Sequence, residues 1–429
     1  MEYSVKNKAQ SFIKISLVSA VASLMWSTAH AQTEQQQIEQ LRQEVAALKA
    51  LVQQQQQVQV QQQQQITQVT ELSSPAPTVK RDGLTFTTKG GAEVKAYGFV
   101  RADANYIVEG ADNDFNAVAS SKGEAKDKLR STLKTTRIGV DFSTPLENGN
   151  KLGGKIETDF ASSSESLRMR HVYLTYNDWL IGQTLSTFLS NHAPEMIDFN
   201  TNPGGGTSRV PMVRYSHKIA PNTQLMISAE KGDSAASKFG DQDVKLKYSA
   251  PVLAAKVIQG FNEGKGSLSA RALVEHYKAE VGQDDAIAWG AAVGVNYQLT
   301  DPLKLSADYS YVQGNNKYLY ATNTAFALDN EQKIEQNEFH ALQVGATYKF
   351  SPAWRSTLAY GAVFADDSNA YANLNQEGNE QVQQAWWNVI YSPVKPVALG
   401  IEYVHGERET FAGDSYKDQR FGLMGRYSF

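Results

Sequence analysis

Cysteine is absent from all 429 residues, so disulfides do not hold this fold together. Long hydrophobic runs are absent too: the longest, Ile15 to Trp26, is shorter than the roughly 20 residues that a membrane-spanning helix needs. A mean hydropathy of −0.43 with 20% charged residues excludes a helical membrane protein. The formal net charge of −4 argues against nucleic acid as a partner.

The short apolar run has the flanks of a secretory signal peptide. Three lysines precede it, and Ala29-His30-Ala31 follows it as an A-x-A cleavage site. We therefore predict that residues 1–31 are a signal peptide and that the mature chain begins at Gln32.

Residues 32–70 combine a heptad pattern with a glutamine-rich tract. Apolar side chains recur at alternating steps of three and four residues, at Ile38, Leu41, Val45, Leu48 and Val52. This spacing predicts a coiled coil, and β-branched residues at a with Leu at d favour two strands. The glutamines make the middle of the seam polar, and a disordered low-complexity tail is the alternative. Prolines 75 and 77 would end any helix, so we predict a linker over residues 71–91.

Residues 92–429 carry nearly all the aromatic residues, and their apolar and polar side chains alternate. In AWGAAVGVNYQL and PLKLSADYSY one parity is apolar, which is typical of strands with one apolar face. Counting back from Phe429 gives sixteen strands. Tight turns alternate with long polar segments at 109–130, 189–208, 313–337 and 366–379. The pattern predicts an all-β fold, a 16-stranded antiparallel transmembrane barrel whose last strand pairs with its first.

One stretch fits this pattern poorly. We predict a strand at residues 242–249, so residues 250–266 should form a short turn, yet this segment is long for one. Leu253 to Ile258 could form a small helix there.

Motifs for catalysis or metal binding are lacking. Gly204-Gly205-Gly206 is not followed by the lysine of a phosphate-binding loop. No histidine pair has the spacing of a zinc site. His192, Glu195 and Asp198 share one loop, but no activated serine accompanies them. We predict no enzymatic activity, no cofactor and no metal.

Cationic residues alternate with lipid-type side chains on several strands. The lipid face would cost each of them about 2–4 kcal/mol at the membrane midplane, so we predict that they face the lumen. The set includes Arg101, Arg137, Lys155, Arg214, Lys245, Lys247, Arg271 and Arg355. Arg168 and Arg170 share a parity with Val172 and Leu174. Either a bulge intervenes between the two pairs, or one pair faces the wrong side of the wall. These cations either pair with lumen acids or form a basic ladder that attracts anions.

Several stretches resemble the DcaP-like trimeric porins of Gram-negative bacteria. They are QIEQLRQEVAALKALVQ, AYGFVRADANY, TRIGVDFSTP, KLGGKIETDF, LRMRHVYLTYNDWLIGQTLSTFLSN, APEMIDF and RVPMVRYSH, within residues 35–220. The resemblance implies a homotrimeric porin in outer-membrane lipid, passing dicarboxylates or similar small organic anions. It also implies a periplasmic coiled coil and a loop 189–208 folded into the lumen. A trimer conflicts with the two-strand preference of the heptad seam, and the barrel interfaces would decide.

Inward parity and the resemblance together select a candidate site at mid-channel. The predicted anion ligands are Arg101, Arg137, Arg168, Arg170, Arg209 and Arg214, with Glu195 and Asp198 as counter-charges on the loop. An outer-membrane hydrolase and a surface adhesin are the alternative functions. Peptidoglycan and a periplasmic protein are both open as partners of the coiled coil.

Deletion of residues 32–73 should leave trimers that resist heat on a gel. The segment precedes a proline-containing linker and has no second apolar face with which to dock on the barrel. Finding only monomers would mean that the coiled coil drives assembly.

Overall fold

The computed structural model describes residues 84–147, 149–162, 166–198 and 202–429. The predicted signal peptide (1–31) and coiled coil (32–70) lie outside them. The strands of this part are β1 Leu84–Thr87, β2 Glu93–Gly110, β3 Ala125–Thr132, β4 Arg137–Pro145, β5 Lys151–Asp159, β6 Arg168–Tyr176, β7 Trp179–Leu185, β8 Arg209–Ala220, β9 Thr223–Glu230, β10 Leu246–Lys247, β11 Val252–Phe261, β12 Gly266–Ala279, β13 Asp285–Gln298, β14 Leu303–Gln313, β15 Phe326–Leu328, β16 Ile334–Gln336, β17 Glu338–Lys349, β18 Trp354–Ala365, β19 Asn379–Tyr391, β20 Val397–Thr410 and β21 Ser415–Ser428. The other regular elements of this part are two 3-10 turns, Val118–Ser120 and Asn262–Gly264, and one helix, α1 Ala370–Leu374.

One antiparallel sheet of nineteen strands closes into a barrel. β1 and β10 are short additions to the sheet, and β3 and β4 are two halves of one wall strand, so the wall has sixteen strands. β2 closes the ring with β21, with Arg101 opposite Arg426 and Tyr106 opposite Phe421. The predicted 16-stranded antiparallel barrel is confirmed.

The outward parity of the wall is apolar and exposed, as expected of a surface that faces lipid. Leu358 on β18, Ile181 on β7 and Leu423 on β21 are 63%, 59% and 54% exposed. Aromatic rings gather near one end of the strands, where Trp354 and Tyr391 stack with centroids 4.4 Å apart. Among the described residues, no helix has the length and apolar character to cross a bilayer.

The connections alternate in length, as predicted. At one end, the short-turn rim, neighbouring wall strands are joined by tight turns such as 177–178 and 221–222. At the other end, the long-loop rim, the longer segments include 111–124, 186–208, 314–337 and 366–378.

The predicted strand at 242–249 and the predicted turn at 250–266 are wrong. The wall strand of this region is β11, which pairs in register with β9 and β12. It includes the segment for which a small helix was considered, and its turn to β12 contains Asn262–Gly264. Of the predicted strand, Leu246–Lys247 pairs with β12 and Gln242 forms an isolated bridge with Phe239, so Lys247 and its neighbour Lys245 are not on the wall.

The alternation fails at the start of β11 because its first inward positions are apolar as well. Val252 and Ala254 face the interior, where they are 1% and 2% exposed against the loops inside the barrel. An inward position that packs against protein, not water, needs no polar side chain. The sequence pattern therefore disappears where a loop fills the lumen.

The described part of the predicted linker 71–91 also differs from expectation. It contains β1, which pairs with the start of β2, with Leu84 opposite Ala96 and Thr87 opposite Glu93. The ordered sheet therefore begins before the predicted barrel boundary at residue 92.

The bulge considered for β6 is confirmed. Glu157 lies opposite His171 and Thr158 lies opposite Met169, so Arg170 is an extra residue in the ladder. Met169 points outward and is 66% exposed. The bulge allows Arg168 and Arg170 to face inward on the same strand as outward Val172.

The chain end is tied into the wall by its last residue. The Phe429 N–H donates to the Gly98 carbonyl at 3.0 Å, and the Gly98 N–H donates back to the Phe429 carbonyl at 3.2 Å. The Phe429 ring covers Gly98, where an added Cβ would lie 2.7 Å from the ring and 2.5 Å from the Arg137 carbonyl oxygen. A side chain at position 98 would therefore disturb both neighbours of β2.

Gly98→Ala should lower the temperature at which the barrel loses its heat-resistant gel mobility. Overpacking of this kind costs about 1–3 kcal/mol, and the backbone carbonyl of Arg137 cannot turn aside as a side chain would. Gly425→Ala is the matched control, because the nearest atom to its added Cβ is 3.9 Å away. Equal melting of the two variants would contradict the proposed close approach of Phe429.

Candidate functional site

The loop 186–208 between β7 and β8, which we call the inner loop, lies inside the barrel. Residues 186–198 and 202–208 of it are described. Lys256 on β11 donates to the Leu189 carbonyl at 2.6 Å and to Asn191 Oδ1 at 2.9 Å. Gln343 on β17 donates to the Pro203 carbonyl at 3.1 Å. These wall contacts confirm the inward fold that the resemblance implied.

Glu402 on β20 fixes the middle of the inner loop. Glu402 is 1% exposed. Its carboxylate accepts hydrogen bonds from the N–H groups of Ile197 at 2.9 Å and Asp198 at 2.7 Å. The Asn388 amide donates to the same carboxylate at 2.9 Å. From β2, which β21 alone separates from β20, the Arg101 guanidinium donates to the Ile197 carbonyl at 2.5 Å. Two nearby strands of the wall therefore hold the loop backbone.

A cavity of about 380 Å³ lies between the inner loop and the wall. We call it the arginine cavity, because six cationic side chains line it. They are Arg101, Lys134, Arg137, Arg168, Arg170 and Arg209. Asp198 of the inner loop is the carboxylate that lines it, and Tyr320 of the loop 314–337 closes one side.

The acids that pair with these arginines lie behind them. Asp159 accepts from Arg168 at 2.7 Å and from Arg170 at 2.8 Å. Asp103 pairs with Arg101 at 2.6 Å. The Asp159 and Asp103 side chains are only 0% and 2% exposed, whereas the Arg168 side chain is 41% exposed. The carboxylates therefore balance charge from within the wall, and of their partners Arg168 is the most open to the cavity, since the Arg101 and Arg170 side chains are only 7% and 6% exposed.

Arg209 is held differently from its neighbours. Its Nη1 donates to the Thr207 carbonyl at 2.8 Å, and its Nε donates to His171 Nε2 at 3.3 Å. Among the described residues it forms no ion pair with a carboxylate. The His171 Nδ1 lies 2.9 Å from the Thr184 hydroxyl. Arg209 thus contributes a charge to the cavity that no acid within the described ranges offsets directly.

Six of the eight predicted site residues line the arginine cavity, and Arg214 and Glu195 do not. Arg214 donates to the Leu185 carbonyl at 3.4 Å, near the start of the inner loop. Glu195 accepts from Arg355 at 2.7 and 2.8 Å in a two-point pair. Glu195 is therefore a counter-charge on the loop, but its partner is Arg355 on β18.

Three functional residues escaped the sequence analysis. Lys134 falls in the break between β3 and β4, where parity gives no information. Lys256 falls on β11, which was taken for a turn. Tyr320 comes from a distant loop. For Lys134, the signal was the interruption of alternation by Thr135 and Thr136, whose hydroxyls bond to Asp103 and to the Arg101 backbone.

His192 has a serine neighbour but not the surroundings of a hydrolase. Its Nε2 lies 3.0 Å from Ser269 Oγ, while its Nδ1 has no partner in the part of the chain that the structure describes. Burial, with Arg271 and Lys256 nearby, lowers the pKa of His192 to about 4. The residue is 1% exposed. A catalytic base needs an orienting group and access to substrate, and this histidine has neither.

Comparison with known proteins agrees with this geometry. Residues 24–429 match the family model of the DcaP outer membrane protein. The chain belongs to the DcaP outer membrane protein family. The crystal structure of the outer membrane channel DcaP of Acinetobacter baumannii is similar at 60% identity, covering 80% of this chain and 99% of that one, with a TM-score of 0.77. The protein is thus an outer-membrane channel of the porin type and not an enzyme.

More distant structures share the fold of the DcaP family. The anion-selective porin from Comamonas acidovorans is 12% identical, covering 79% of this chain and 100% of that one, with a TM-score of 0.54. OmpT of Vibrio cholerae is 14% identical, covering 80% and 100%, with a TM-score of 0.53. Comparison with curated proteins gave no match.

Glu402→Gln should loosen the inner loop and make the channel current noisier. The glutamine amide would present an N–H group where Glu402 now accepts from Ile197 or Asp198, and a buried unpaired group costs about 1–3 kcal/mol. Single-channel recording measures this effect, and it should show additional short closures and a wider spread of conductance.

Glu407→Gln is the matched control for this variant. Glu407 lies on the same strand but points outward, where it accepts only the Ser415 hydroxyl at 2.9 Å. The assigned role of Glu402 is wrong if both variants give the noise level of the unmodified channel.

Proposed function

We propose that the protein is a passive, anion-selective channel that favours dicarboxylates or similar small organic anions. The observation that carries this proposal is the surface of the arginine cavity, where six cationic side chains and one carboxylate face the open space. Rings of arginine and lysine are a common means of anion selectivity in pores.

The position of the acids supports selectivity, even though most of the arginines are paired. A permeating ion meets the nearer charge first, and Coulomb energy falls with distance. Asp159 and Asp103 are almost completely buried behind their arginines. An anion in the cavity therefore approaches guanidinium N–H groups directly, while a cation would have to pass them to reach a carboxylate.

Dianions should gain more than monoanions. Each carboxylate of a diacid can accept charge-assisted hydrogen bonds from one guanidinium group, frequently in a two-point geometry. Arg168 and Arg209 are suited to this role, because the first is 41% exposed and the second has no acid partner among the described residues. A neutral sugar would gain nothing from these charges.

Assembly and the N-terminal segment complete the proposal. We infer a homotrimer in outer-membrane lipid, with residues 32–70 forming a coiled coil in the periplasm. The support is the resemblance to trimeric porins and the heptad spacing before a linker with two prolines. Peptidoglycan or a periplasmic protein would be the partner of that coiled coil.

The reversal potential in a KCl gradient should show preference for chloride in the unmodified channel. Arg209→Gln should reduce the chloride preference about fivefold, because one uncompensated charge at close range contributes on the order of 1 kcal/mol. The variant removes a cation without leaving a carboxylate newly unpaired.

Lys417→Gln serves as the control for loss of one positive charge. This lysine lies on β21 with the outward parity of Phe421 and is exposed. It should leave the reversal potential unchanged. A preference for potassium in the unmodified channel would refute anion selectivity, and an unchanged potential in Arg209→Gln would refute only the role of that residue.

A further inference from the structure

A second group of cations lies next to the arginine cavity, toward the short-turn rim. Phe99 on β2 is directly opposite Arg137 on β4. Arg426 on β21 is directly opposite Arg101, one inward position along β2 from Phe99. The guanidinium carbon of Arg137 is 5.0 Å from the Phe99 ring centre, and that of Arg426 is 5.7 Å from it. One ring therefore contacts two cations.

Arg426 differs from most inward arginines in its partners. Arg271 pairs with Asp308, Arg355 pairs with Glu195, and each has a carboxylate within 2.7 Å. The Arg426 side chain forms no hydrogen bond or ion pair with any residue in the ranges that the structure describes, and its Nε is buried without a partner. Its contact is the face of an aromatic ring.

The charges around Arg426 do not compensate it. The charged groups that act on it electrostatically include Arg101, Arg355 and Glu195. Glu195 is already bound at two points by Arg355. Arg101 is the cross-strand neighbour, and like charges directly opposite each other on a sheet destabilise it. The site is therefore short of one negative charge.

Arg137 is only partly compensated. Its Nε is also buried without a hydrogen-bond partner, and it shares the Glu157 oxygen of its 3.5 Å ion pair with Arg170, which donates to that oxygen at 2.8 Å. Arg137 lines the arginine cavity on one side and contacts Phe99 on the other. It thus belongs to both groups of cations.

We infer that Arg137 and Arg426, spaced by Phe99, form a second subsite for a small dicarboxylate on the short-turn side of the arginine cavity. This inference rests on the proposed anion channel. The two guanidinium carbons lie within about 11 Å of each other, since both distances are to one ring. A short diacid can therefore place one carboxylate at each guanidinium group.

The sharing of Arg137 gives the subsite a role in permeation. A dicarboxylate can be held in the cavity by Arg137 and its neighbours. One of its carboxylates can then move to Arg426 while the other stays bound in the cavity. Binding at adjacent sites of moderate strength lets a solute enter and still leave, as conduction requires. Phe99 acts here as a positioning residue, since it holds two like charges apart without an acid between them.

Succinate block of the KCl current in planar bilayers tests the subsite on the full-length protein. Succinate is added first to one chamber and then to the other, and the concentration for half block is measured from each side. Arg426→Gln should raise the half-block concentration about tenfold when succinate is added on one side, and much less when it is added on the other. The reason is that a charge-assisted two-point contact is lost near one end of the channel only. The variant should still prefer chloride to potassium.

Two further variants separate charge from position. Phe99→Leu keeps every charge and should raise the half-block concentration from the same side about threefold. Lys304→Gln is the control. Lys304 is an inward cation of β14 near the short-turn rim, and it is not one of the two cations at the Phe99 ring. It should change the block less than twofold.

The outcomes distinguish the subsite from the proposed function. Suppose that the unmodified channel prefers chloride, and that Arg426→Gln and Phe99→Leu have its half-block concentrations for succinate from both sides. The subsite is then refuted and the anion channel stands. If the unmodified channel prefers potassium, the proposed function fails and the subsite with it. Should Arg426→Gln not assemble, as judged by its heat-resistant gel mobility, Phe99→Leu decides alone by the same criterion.

Discussion

The pairing of the last strand with the first is the interaction on which the rest of this structure depends. A backbone N–H or carbonyl left unpaired in hydrocarbon costs several kcal/mol, so a lipid-facing sheet has to be closed. β2 and β21 pair from Glu109 opposite Gln419 to Phe99 opposite Ser428, and two hydrogen bonds between Gly98 and Phe429 extend the pairing. Closure separates an apolar outside from a polar inside. The charged residues of the arginine cavity are on the inside because of it.

Inside that wall, charge is arranged by depth. The carboxylates of Asp103, Asp159 and Glu402 are buried, where they fix an arginine or a loop. Of the arginines that Asp103 and Asp159 hold, Arg168 is the most open to solutes. Arg101 links the two tasks, because it pairs with Asp103 and also donates to the Ile197 carbonyl of the inner loop. The shape of the cavity and its charge therefore depend on the same side chain.

Much of this could be predicted from alternation alone. Sixteen strands, the two classes of connection and the bulge at Arg170 follow from which face each side chain must occupy. Parity failed on β11, where the inner loop covers inward Val252 and Ala254 and removes the need for polarity. Parity also gives the face of an arginine but not its partner. The pairing of Glu195 with Arg355 depends on where a loop lies, and so does the lack of an acid paired with the Arg426 side chain among the described residues. Short sequence periods carry no information about the position of a loop.

The bulge in β6 has a consequence for how the family could diversify. Loss of the single codon for Arg170 would leave Arg168 inward, Met169 outward, His171 inward and Val172 outward, which is an unbroken alternation. The lipid-facing side chains would keep their faces, and the lumen would lose one cation. A one-residue deletion is ordinarily disruptive in a strand, because it reverses every face beyond it. At this position the same event instead tunes the pore, so the extra residue is a point at which permeability can evolve separately from membrane insertion.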